Sequence, residues 1–89
     1  MNFAATVHST IVPLVIEHVW IQNISSHGAR VRCHRTWQAR DRLVLTSSLG
    51  DLQAEAEVVY FQRLATGEYA IGLKFARPLI GQTLLSGRA

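Results

Sequence analysis

Eighty-nine residues and 9.9 kDa point to one domain over 1–89, or part of one, with one modest core, since a chain this size hides only about 60–65% of its unfolded surface. Hydrophobic residues reach 48% against 17% charged, with mean hydropathy +0.14 and net charge +3; that excludes a disordered chain and leaves apolar surface for a partner to cover. The aliphatic run at 11–16 carries Pro13 and falls short of the roughly 20 residues that a membrane-spanning helix needs. No Lys or Arg precedes Arg30, as a secretory leader would require, and the lone Cys33 can form no internal disulfide, so a reducing, cytoplasmic setting is expected.

Period-two alternation dominates the chain, and helical spacing is scarce. Residues 8–24 are rich in Val, Ile, Thr and Trp and read as one long or two short strands, with Pro13 at an edge or a break. The stretch Asn-Ile-Ser-Ser-His-Gly at 23–28 is a turn signal. Ala29, Val31 and Cys33 then alternate with Arg30, Arg32 and His34, so three basic or titratable groups share an outer face. Cys33 and His34 point to opposite faces, which argues against a shared metal ion or a Cys-His nucleophile pair. Trp20 and Trp37 are expected in the core or at an interface.

Leu43 and Leu45 alternate with Arg42, Val44 and Thr46, and 47–51 reads as a hairpin turn. Between 54 and 61 the apolar set changes face near Val58, the mark of a bulge or of a twist that buries both faces. Residues 65–68 turn the chain into the clearest strand, Tyr69–Phe75, where Tyr, Ile, Leu and Phe point one way. Gly72 within it indicates close approach by another backbone or side chain. After Pro78 a short apolar tail follows, with one or two helical turns at most. About six short strands at 8–12 residue spacing indicate an antiparallel barrel or sandwich.

The basic residues are eight arginines and one lysine, and Arg30, Arg32, Arg35, Arg40 and Arg42 fall within one short stretch. Arginine offers a planar fork that suits phosphate, so the cluster points to a phosphate-bearing partner (a nucleotide, a nucleic acid or an anionic surface), with a solvated strand face as the equal alternative. Nucleic acid is the weaker version of that partner, because the stacking aromatics of single-strand binders are missing.

The segment 21–31 carries the pattern [Asp/Asn]-x-Ser-x-x-Gly on Asn23, Ser25 and Gly28, entered from an apolar strand and followed by a small residue and a second strand. With a strand around 43–45, the segment 55–60, and a closing strand ending Gly72-Leu73-Lys74-Phe75, the chain resembles the PilZ domain over about residues 19–77. The resemblance implies a six-stranded antiparallel β-barrel without catalytic activity that binds cyclic di-GMP, a bacterial second messenger. Asn23 can meet a guanine edge, Ser25 offers a hydroxyl, and Gly28 lets a ligand lie close to backbone. The plain alternative is an Asx or Ser turn that only reverses the chain.

One element of the family is missing. PilZ domains carry Arg-x-x-x-Arg before the first strand, and here no arginine precedes Arg30 and no two arginines are spaced by four. Losing that phosphate grip costs about 3–6 kcal/mol of binding. Arg30 and Arg32, directly after the motif, are the expected substitutes, which gives a ligand set of Asn23, Ser25, Gly28, Arg30 and Arg32. The expected function is a signalling module that binds cyclic di-GMP and relays it by protein contact; the alternative is an adaptor of the same fold that has lost the nucleotide. No cofactor or metal is expected. The short start leads to an expectation that the barrel is incomplete at its N-terminal edge, with a homodimer or another protein covering that edge.

Overall fold

A computed structural model describes residues 2–11, 15–48, 50 and 52–79. Pro13, part of the 47–51 turn and the apolar tail beyond Leu79 lie outside the described residues. The six strands are β1 (Phe3–Ser9), β2 (Ile16–Ile24), β3 (Gly28–Cys33), β4 (Arg42–Ser47), β5 (Gln53–Arg63) and β6 (Tyr69–Phe75). They close into an antiparallel barrel in the order β1-β2-β3-β6-β5-β4. No helix among the described residues is long and apolar enough to cross a membrane.

The alternation read in the sequence selects the interior. Val7, Val31, Leu43, Leu45, Val58 and Ile71 are fully enclosed, and Ala5, Val19, Ile21, Ala56, Leu73 and Phe75 fill the space between them. Each large aliphatic side chain so buried stabilises the fold by about 1.5–3 kcal/mol. Trp37, on the connection from β3 to β4, is buried at one mouth of the barrel, while Leu52 and Leu79 are buried at the other. Trp37 is therefore a core residue, whereas Trp20 stands on the outside, 44% exposed.

The barrel is closed at its N-terminal edge, which corrects the expectation of an incomplete start. β1 begins at Phe3 and pairs on both sides, Ala4 with Trp20 in β2 and Val7 with Leu45 in β4. Ala5, Val7 and Ser9 point inward. The strand was hard to see because two alanines, weak strand formers, stand where larger residues mark the other strands.

The face change near Val58 is a bulge, with register shifting between Val58 and Tyr60 against β6. It does not bury both faces: Val59, Tyr60 and Phe61 are all exposed. Beyond the bulge Phe61 stacks on Tyr69, with centroids 5.0 Å apart. The close approach expected at Gly72 is the Tyr60 ring, which lies where a Cβ on that glycine would stand.

Candidate functional site

The motif forms the turn between β2 and β3. The Ser25 N–H donates to the Gly28 carbonyl at 2.8 Å, and the Ser25 hydroxyl accepts from the His27 N–H at 3.3 Å. The turn is pinned from outside as well: the Phe75 N–H donates to the His27 carbonyl at 2.9 Å, and the Leu79 N–H to the Ser26 carbonyl at 2.6 Å. A bulge between Ile21 and Asn23 sets Asn23 directly opposite Arg30. Partners opposite each other share a face, so both side chains point outward. The Asn23 amide is exposed and has no hydrogen-bond partner among the described residues.

Gly28 has a structural reason for being glycine. The positive-φ glycines among the described residues are Gly50 and Gly67. At Gly28 an added Cβ would collide with the Leu73 backbone carbonyl across the β3–β6 ladder. The absent side chain thus admits a neighbouring strand, as close strand packing requires.

Arg30 and Arg32 follow the turn on the outer face of β3, and both are engaged. The Arg30 guanidinium donates from Nε to Gln22 Oε1 at 3.1 Å, from one terminal nitrogen to the Tyr60 hydroxyl at 3.0 Å, and from the other to Gln62 Oε1 at 3.2 Å. It crosses β6 at Gly72, its register partner, because that residue and the overlying Tyr60 ring leave a shallow floor. Arg32 Nε lies 3.3 Å from Glu68 Oε1, but the geometry is that of a charge pair rather than a hydrogen bond. Glu68 also reaches His34 Nε2 at 3.1 Å. At 29% side-chain exposure, the Arg32–Glu68 pair contributes up to about 1 kcal/mol.

Glu17 was not singled out in the sequence. One of its carboxylate oxygens accepts from the His34 and Arg35 N–H groups at 2.6 and 3.2 Å, and the other from Trp37 Nε1 at 3.0 Å. It fixes the loop leaving β3 and seats the tryptophan at the barrel mouth. The available signal was that Glu17 is the one acid before Asp41 in the sequence. Cys33, beneath this loop, is buried. Burial first, then the carboxylates of Glu17 and Glu68, push its thiol pKa from 9.0 up to about 12, so it stays protonated and unreactive near neutrality.

The five-arginine stretch is divided in space. Arg30 and Arg32 lie on the barrel wall near the motif, whereas Arg35, Arg40 and Arg42 line a cleft at the mouth closed by Trp37. The two described clefts do not include Asn23, Ser25, Gly28, Arg30 or Arg32. No family model, curated protein or solved structure matches the chain at a significant level.

Proposed function

We propose that the chain is a non-catalytic signalling module of the PilZ type that works by protein contact and does not capture the nucleotide. The observation that carries this reading is the engagement of Arg30. Its guanidinium already donates to Gln22, Tyr60 and Gln62, and Arg32 faces Glu68. A phosphate would have to break those contacts before it gained anything. Exposed apolar side chains on the outside of the barrel, among them Ile16 and Trp20 on β2 and Val59 and Phe61 on β5, are what such a partner would cover. A second copy of the chain is one such partner, and it would meet these side chains rather than an open strand edge.

One observation favours the second reading, in which cyclic di-GMP binds through Asn23, Ser25, Gly28, Arg30 and Arg32. The bulge in β2 presents an unpartnered amide beside a guanidinium on the outward face. Calorimetric titration of the full chain with cyclic di-GMP separates the two. The adaptor reading expects no saturable heat that depends on Arg30 at high micromolar ligand from a folded sample. Saturation that disappears in Arg30→Ala establishes the receptor reading instead.

A further inference from the structure

Arg35, Arg40 and Arg42 form a second arginine group, at the end of the barrel opposite the Ser25–Gly28 turn. They line a cleft of about 460 Å³ together with Ile11, Val15 and Trp37, a volume within the range of small-molecule sites. All three arginines are exposed, and none has a side-chain hydrogen bond or ion pair among the described residues. Among the described lining residues the one carboxylate, Asp41, is occupied: its Oδ2 accepts from the Gln38 N–H at 2.9 Å. The cleft is therefore a cationic rim over an apolar wall.

Arg40 has a backbone conformation that its side chain disfavours. Its φ is 80°, and it is the one non-glycine residue with positive φ among the described residues. The loop is held there by the Arg40 N–H donating to the Val58 carbonyl at 2.7 Å and the Val58 N–H donating to the Asp41 carbonyl at 2.9 Å. Glycine adopts this geometry without strain, so an arginine there implies a use for its guanidinium that offsets the conformational cost.

We propose that this cleft binds a small phosphorylated ligand of mononucleotide size, with its phosphates on Arg35, Arg40 and Arg42 and its apolar body against Ile11 and Val15. Arginine forks are suited to phosphate oxygens, and three uncommitted forks match a ligand carrying more than one phosphate charge. A single-stranded nucleic acid fits less well, because Trp37 is 6% exposed and its indole N–H is held by Glu17, so it offers no platform for stacking bases.

The test is calorimetric titration of the full chain with GDP at low ionic strength, where an exposed anion site is least screened. GDP saturates the wild type. Arg40→Gly, which removes a guanidinium and relaxes the backbone, weakens binding about tenfold. Arg42→Gln, at an exposed strand start, does the same and serves if Arg40→Gly does not fold. Arg77→Gln, an equal charge change at the other end of the barrel, leaves binding unchanged. Absence of saturation at roughly millimolar GDP overturns the proposal. So does equal weakening by Arg77→Gln, or binding of a single-stranded DNA oligomer without any response to GDP.

Discussion

Gly28 and Gly72 show how two glycines on one barrel wall answer to different neighbours. At Gly28 the obstacle to a Cβ is the Leu73 carbonyl, which is backbone; at Gly72 it is the Tyr60 ring, which can rotate away. Gly28→Ala should therefore cost about 2–4 kcal/mol in urea unfolding and Gly72→Ala about 1 kcal/mol. Adding Tyr60→Ala should abolish the Gly72→Ala penalty and leave that of Gly28→Ala intact. Cys33 gives a pH dependence. Its thiol pKa stands at about 12 in the fold against 9.0 without it, so the unfolded chain releases its proton first. The stability it supports is fully present below pH 9 and declines as pH rises from 9 toward 12. Over that window the wild type should lose stability faster than Cys33→Ala, as unfolding midpoints will show.

At the scale of elements, the connection from β3 to β4 is held by one carboxylate. Glu17→Ala removes three hydrogen bonds, including that to the buried Trp37 indole, and should lower stability by about 2–4 kcal/mol. Glu17→Gln, which keeps an acceptor, should recover part of that loss. Arg40→Gly in the same connection should leave the unfolding midpoint unchanged or raised, because relief of the left-handed strain offsets the added freedom of the unfolded chain. These contacts also mark how far the sequence could be read. The alternation at 29–33 and 69–75, the face change at Val58 and the close approach at Gly72 all follow from strand periodicity and glycine chemistry, and the fold bears them out. The beginning of β1 was obscured by its alanines. Glu17 stood out only as an acid, and its partners could not be read because they lie 17–20 residues further along the chain. The separation of the arginines followed from β3 ending at Cys33, so that Arg35 and its successors leave the wall on which Arg30 and Arg32 lie; a charge count along the chain carries no such information.

Across the whole molecule, closure depends on two pairings distant in sequence, β1 with β4 and β3 with β6. With both made, the sheet has no free edge, and strand addition is removed as a route to association. What remains for interaction is side-chain chemistry, and two regions differ in it: the wall beside the turn, where Arg30 and Arg32 are engaged, and the mouth, where Arg35, Arg40 and Arg42 are not. That division underlies both the adaptor reading and the cleft proposal. It is tested most directly by hydrogen exchange of the arginine Nε–H groups, followed by nitrogen-proton NMR on the full chain. Arg30, bonded to Gln22, and Arg32, buried at its Nε, should exchange slowly, and Arg35, Arg40 and Arg42 at the rate of free arginine. Exchange at Arg30 as fast as at the mouth would contradict the account.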